Sequence, residues 1–75
     1  MQMTLDALSV GHSATVSALD MADSQRRRML DLGFVPGAYV RTLHVSPWSD
    51  PIAYGVSGAV IALRREDAKH IKIQL

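Results

Sequence analysis

The segment from residue 24 to residue 40, SQRRRMLDLGFVPGAYV, decides how this chain is organised, because it holds both a helix and the signals that end it. It predicts the only helix of any length, running from Asp23 or Ser24 to Leu32. Asp and Ser are good N-cap residues because their side-chain oxygens accept hydrogen bonds from the free N–H groups of the first turn.

The residues after this helix predict how it ends. Gly33 suits the left-handed C′ position of a Schellman motif, which would fold Phe34 back against Met29. Pro36 and Gly37 form a dipeptide that is typical of turns. The segment therefore predicts a helix, a clamped helix end and a turn into the next element.

Outside this segment, short runs with period-2 alternation predict strands that are separated by tight turns. Helical turns are predicted after Thr4 and in REDAK, residues 65–69, and Ser57-Gly58 is predicted to be a hairpin tip. The predicted strands are 12–19, with Ala14, Val16 and Ala18 on one face; 38–45; the two arms of a hairpin over 52–63; and 70–75, with Ile71, Ile73 and Leu75 on one face.

About five short strands and one helix in 75 residues favour a mainly β fold, a small SH3-like β-barrel with the helix inserted after its first strand. Closing the sheet on itself would remove its edges and bury one face of every strand. We predict a single domain over residues 1–75. With 48% hydrophobic and 20% charged residues, the chain is expected to fold alone.

The chain contains no cysteine and has a net charge of +1. The absence of cysteine excludes a disulfide framework and thiolate metal sites, and it predicts a cytoplasmic location. The sequence has no signal-peptide pattern and no run of about 18 apolar residues, so we expect neither secretion nor membrane insertion. The small net charge gives no general reason to expect a nucleic-acid partner, so any basic site must be local.

Catalytic and metal-binding patterns are missing from the sequence. His12, His44 and His70 lack the short spacing of local ligand pairs, and aspartates such as Asp20 and Asp50 stand where caps and turns favour Asp. There is no Gly-rich phosphate loop and no G-x-S-x-G motif. We therefore expect no enzymatic activity, no cofactor and no strong metal binding by the monomer.

Arg26, Arg27 and Arg28 are the candidate partner-binding residues of the helix. Successive helix residues are about 100° apart, so the three side chains fan over about 200° and cannot form one stripe. They oppose the positive end of the helix dipole, which is unfavourable by a few tenths of a kcal/mol to about 1 kcal/mol each. A solvated helix face would carry a similar run, but cations set against the dipole favour a partner.

Met29, Phe34 and Trp48 complete the candidate binding surface. For Met29 and Phe34 the competing interpretation is that they cover the end of the barrel, given the expected Schellman contact. Trp48 lies in the Pro-flanked polar loop SPWSDP, residues 46–51. An exposed tryptophan beside arginines is typical of a protein-interface hot spot.

Three segments together resemble a known family, although each is weak alone: RRRMLDLGFVPG at 26–37, DPIAYGVSG at 50–58 and ALRREDA at 62–68. The combination resembles the FeoA family, small cytosolic proteins of bacterial ferrous iron transport that are related to the SH3-like C-terminal domains of metal-dependent repressors. The resemblance covers residues 4–75.

The resemblance implies a non-catalytic accessory protein that binds the cytosolic part of FeoB, a membrane ferrous iron transporter, and that is recruited to the cytoplasmic membrane by it. The small net charge and the lack of a long apolar run separately predict no nucleic-acid partner and no direct membrane insertion. The residues that the resemblance implies for the structural motif are Gly33, Pro36, Gly37, Asp50, Pro51 and Gly58.

One departure from the family concerns the strand after Asp50-Pro51. Ala53, Gly55, Ser57 and Ala62 make its outward face unusually small, which indicates either the close approach of another chain or a loop folded over it. An exposed apolar patch there or elsewhere would allow weak self-association.

Two functions from other classes stay open. A small-barrel nucleic-acid-binding module would use the arginines for phosphates and Tyr39, Tyr54 and Trp48 for stacking. A metal-responsive regulatory domain would need the histidines and aspartates to converge in space.

Overall fold

The computed structural model describes residues 2–75 as one antiparallel sheet with one long helix and two short helical segments. In chain order the elements are β1 (Gln2–Thr4), a 3₁₀ turn (Leu5–Ala7), β2 (Ser13–Leu19), α1 (Asp23–Leu32), β3 (Tyr39–Val45), β4 (Ile52–Val56), β5 (Ala59–Leu63), α2 (Arg65–Ala68) and β6 (Ile71–Gln74).

The strand order in the sheet is β1-β6-β2-β3-β4-β5, and every neighbouring pair is antiparallel. The predicted mainly β fold with α1 inserted between β2 and β3 is confirmed. The sheet has six strands rather than about five, because β1 is too short to show alternation and is defined by its pairing with β6. Within residues 2–75, no ladder joins β1 to β5, so hydrogen bonding leaves two edges where a closed barrel would have none.

Two predicted face assignments are wrong. The pairing of β2 with β6 shifts between Val16 and Ala18, so Leu19 rather than Ala18 is the next buried residue after Val16. The extra residue of a bulge changes the alternation, and the sequence carries no mark of it. Leu75 lies beyond the end of β6 and is exposed, so it does not continue the buried face of that strand.

The start of α1 also differs from the prediction. Ala22 occupies the N-cap position, and no side chain there accepts a hydrogen bond from the first turn. Asp23 is instead the first helical residue, and its carboxylate pairs with Arg26 at 2.9 Å. The predicted Asp or Ser cap is therefore wrong, although the acidic residue still lies at the helix end that favours negative charge.

The end of α1 is the predicted Schellman motif. Gly33 has a φ of 109°, in the left-handed region. Its N–H donates to the carbonyl oxygen of Leu30, and the N–H of Phe34 donates to that of Met29, both at 3.0 Å. These two bonds satisfy carbonyl groups that the end of a helix leaves free.

The β4–β5 hairpin turns at Ser57 and Gly58, as predicted. Both residues have positive φ, 51° and 76°, which is the signature of the tight turn that matches strand twist. The predicted helical turn after β5 is confirmed as α2.

In residues 2–75, neither helix is long and apolar enough to cross a membrane.

Candidate functional site

The three arginines of α1 differ in their surroundings. Arg26 pairs with Asp23 at 2.9 Å, and Arg28 donates to a carboxylate oxygen of Asp67 at 3.4 Å. Arg27 is exposed, and nothing in residues 2–75 forms a hydrogen bond or ion pair with its side chain. The structure therefore leaves one fully available cation on the helix where the sequence suggested three.

Asp67 is a residue that the sequence analysis missed, although it joins the two helices. It is only 9% exposed, and its carboxylate accepts hydrogen bonds from Gln25 at 2.6 Å and from Arg28 at 3.4 Å. These partners lie about 40 positions away, so no local pattern could have indicated the contact. A nearly buried carboxylate needs such partners, because an unpaired buried charge is strongly unfavourable.

Met29 and Phe34 are fully buried, which corrects their assignment to an accessible binding surface. The Schellman motif folds Phe34 inward, where its ring meets that of Tyr54 edge to face with centroids 6.4 Å apart. Such an aromatic pair contributes about 0.5–1.5 kcal/mol beyond the burial of its area. The competing interpretation, that the two residues close the core, is the one the structure supports.

Trp48 is 86% exposed at the tip of the loop between β3 and β4. The loop around it is held to α2, because Asp50 accepts a hydrogen bond from the Arg65 backbone N–H at 2.9 Å and lies 3.7 Å from the Arg64 guanidinium. The Arg65 side chain donates back to the carbonyl oxygen of Ser49. Asp50 therefore ties the loop to the start of α2, and Trp48 is presented by an anchored loop.

Helix α1 and the loop that carries Trp48 contact different residues of α2. The Trp48 loop binds α2 at Arg65, whereas α1 binds it at Asp67. Residues two apart on a helix point in roughly opposite directions. The Arg65 side chain, which donates to the loop, and the Asp67 side chain, which accepts from α1, therefore leave α2 in different directions.

The outward face of β3, β4 and β5 forms a second candidate surface. Tyr39 and Val60 are 69% and 70% exposed, and they line an open groove of about 430 Å³ together with Gly55 and the hairpin tip. A Cβ built on Gly55 would lie 3.4 Å from Cδ1 of Leu43, so that side chain covers one side of the glycine. The small residues of β4 and β5 therefore make room for a β3 side chain and for the open groove beside it.

The end of α1 approaches the tip of the same hairpin. A Cβ built on Gly33 would lie 3.0 Å from Oγ and 3.3 Å from Cβ of Ser57. The backbone conformation at residue 33 thus favours glycine, and any larger residue would also have to displace the Ser57 side chain.

The nucleic-acid-binding alternative depends in part on an accessible Tyr54 ring, and the metal-responsive alternative depends on convergence of the histidines and aspartates. Tyr54 is fully buried, and this burial together with the charge of Asp6 raises its pKa to about 12 against the opposing charge of Arg65. Its hydroxyl donates to the Leu5 carbonyl oxygen at 3.3 Å. This ring is therefore not accessible for base stacking. In residues 2–75, no group of three or more His, Asp or Glu side chains is arranged to hold a metal ion.

Comparison with known proteins places these features in a family. The family model for the FeoA domain matches residues 3–75. A curated relative, the Fe(2+) transport protein A/Fe(2+) transporter FeoB fusion protein of Porphyromonas gingivalis, is 33% identical over 73 residues, which are 97% of this chain and 9% of the fusion. The chain therefore spans less than a tenth of the curated relative it matches.

Two solved structures share the fold. The FeoA protein of Chlorobium tepidum is 34% identical with a TM-score of 0.91, over 97% of this chain and 70% of that one. The FeoA of Stenotrophomonas maltophilia, solved with zinc and described as a prokaryotic SH3 domain protein, is 34% identical with a TM-score of 0.78, over 96% and 89%. The chain described here belongs to the FeoA family.

Proposed function

We propose that this protein is a non-catalytic accessory protein of bacterial ferrous iron uptake, which acts in the cytoplasm and binds the cytosolic part of a FeoB-type transporter. The observation that carries this proposal is the fusion relative, in which a similar sequence and a FeoB transporter form one chain. Linking two modules raises their effective concentration at each other's binding sites. A fusion of this kind supports association between the separate proteins.

We further propose that α1 contributes cations to this contact. Arg27 is the main candidate because its guanidinium has no partner in the part of the chain that the structure describes. Arg26 and Arg28 remain 42% and 62% exposed despite their ion pairs. Exposed cations mainly raise the association rate, and Trp48 provides a separate apolar contact.

The proposal is tested by measuring binding of the purified protein to the full-length, detergent-solubilised transporter of the same bacterium. The wild-type protein should bind, and Arg27→Ala should lower the association rate severalfold at low salt while leaving the thermal midpoint unchanged. Lys72→Ala, at an exposed position of β6, is the matched control and should change little. A folded wild-type protein that does not bind refutes the proposal, and equal rates for both variants remove Arg27 from the contact.

A further inference from the structure

Strand β5 is an unprotected sheet edge. It pairs with β4 on one side, and in residues 2–75 no strand pairs with its other side. Natural edge strands are usually blunted by charge, by proline or by being very short. The five residues of β5, AVIAL, contain neither a charge nor a proline, whereas the opposite edge strand, β1, has only three residues.

The free backbone groups of this edge belong to two exposed residues. The hairpin closes at the pair Val56 and Ala59, next to the two-residue turn, so this pair is hydrogen-bonded. Because pairs alternate along an antiparallel ladder, the N–H and C=O groups of Val60 and Ala62 point away from β4. Both residues are also exposed on the outward face.

The groove beside this edge is apolar, and the strands that form it carry a positive side chain and no negative one. Tyr39 and Val60 line it, and Gly55, its floor, is the register partner of both Arg41 and Val60. Arg41 is exposed and has no carboxylate partner in residues 2–75. Residues 39–45 and 52–63, which include all three strands, contain no Asp or Glu. This face therefore complements an occupant that is extended, apolar and acidic.

We propose that β5 takes up an extended segment of the transporter as an additional strand, with apolar side chains of that segment in the groove and a carboxylate directed toward Arg41. The inference rests on the proposed function and specifies how the partner is held. Main-chain hydrogen bonds to Val60 and Ala62 supply affinity, and the groove and Arg41 select the sequence.

A second copy of this chain is the competing occupant. It would pair edge to edge through its own β5, but that strand brings no carboxylate to Arg41. The charge on this face therefore favours the transporter segment.

The test compares lysine substitutions at two exposed valines in binding to the full-length solubilised transporter. Val60→Lys places a charge on the edge, and Val10→Lys makes the same change at a 53% exposed position outside the sheet. We expect Val60→Lys to raise the Kd at least tenfold, Val10→Lys to leave it within twofold, and Arg41→Glu to weaken binding and reverse its salt dependence. In the complex, amide hydrogen exchange at Val60 and Ala62 should slow at least tenfold, which a side-chain contact alone would not cause.

Four results would overturn the inference. Equal Kd values for the two lysine variants, or unchanged exchange at Val60 and Ala62 in the complex, would leave transporter binding intact and exclude strand addition. A wild-type dimer that Val60→Lys dissociates, with transporter binding unaffected, would assign the edge to a second copy. A folded wild-type protein that does not bind the transporter would remove the proposed function together with this one.

Discussion

The replacement of Gly33 by Ala measures how closely the end of α1 fits against the β4–β5 hairpin. Two penalties act on the new methyl group. A left-handed backbone costs a residue with a Cβ about 1–2 kcal/mol. The added Cβ would also lie 3.0 Å from Oγ and 3.3 Å from Cβ of Ser57, so this exposed side chain must shift. We expect that shift to cost about 1 kcal/mol, the low end for overpacking. We therefore expect Gly33→Ala to lower the free energy of unfolding by about 2–3 kcal/mol.

A matched glycine separates the two penalties. Gly37 has a φ of 94°, close to the 109° of Gly33, but a Cβ built on it meets nothing within 4 Å. Gly37→Ala should therefore show the backbone penalty alone, about 1–2 kcal/mol. The difference between the two variants, about 1 kcal/mol, corresponds to about 4–8 °C in the thermal midpoint of a domain of this size.

The assay is urea unfolding followed by circular dichroism, with thermal melts on the same samples. In a Ser57→Gly background the steric contact is gone, so Gly33→Ala and Gly37→Ala should then cost the same. The coupling energy between Gly33 and Ser57 should reach at least about 0.5 kcal/mol, as for residues in direct contact. Equal costs for both alanine variants in the wild-type background would refute the steric part of the reasoning.

Three further predictions concern titration, the anchored loop and the helix pair. Burial raises the pKa of Tyr54 from 10.0 to about 12. The unfolded state therefore loses this proton first as pH rises, and the free energy of unfolding should fall between about pH 10 and 12. In urea melts at a series of pH values, Tyr54→Phe should flatten that fall, whereas Tyr39→Phe, at an exposed ring, should not. Asp50→Ala should lower the free energy of unfolding by about 1 kcal/mol, because it removes the acceptor for the first N–H of α2. Asp50→Asn keeps an acceptor oxygen, so a loss for Asp50→Ala no larger than that for Asp50→Asn would contradict this role. Arg28→Ala should lower the free energy of unfolding by up to about 1 kcal/mol, since it removes a partner of the nearly buried Asp67 carboxylate. Arg27→Ala should not change the thermal midpoint. Equal midpoints for the two variants would show that the Arg28–Asp67 pair contributes nothing to stability.

The features that the sequence predicted correctly are those that depend on neighbours in the chain. The end of α1 involves hydrogen bonds between residues no more than five apart, and the glycine that it needs is visible in the sequence. The hairpin tip at Ser57-Gly58 is equally local. The bulge in β2 was not predicted, because it depends on the pairing of that strand with β6 rather than on its own residues.

The candidate site was harder to predict for the same physical reason. Arg27 and Arg28 look alike in the sequence, and they differ only because Asp67, 39 positions after Arg28, folds next to one of them. The identity of the residues that close the core, Met29 and Phe34, likewise depends on which face of the helix end meets the sheet. The exposure of a side chain is a property of the assembled fold. Residue type alone therefore cannot show which candidate residues are accessible to a partner.

The pairing of β1 with β6 has a consequence for how such a domain can be combined with others. Gln2 and Gln74 are register partners, so the two ends of the fold emerge side by side on adjacent strands. A domain with neighbouring ends can be attached at either end of a longer polypeptide, or inserted within one, without a long connection across its own surface. A covalent connection to another domain at either of these strands therefore requires no rearrangement of the sheet.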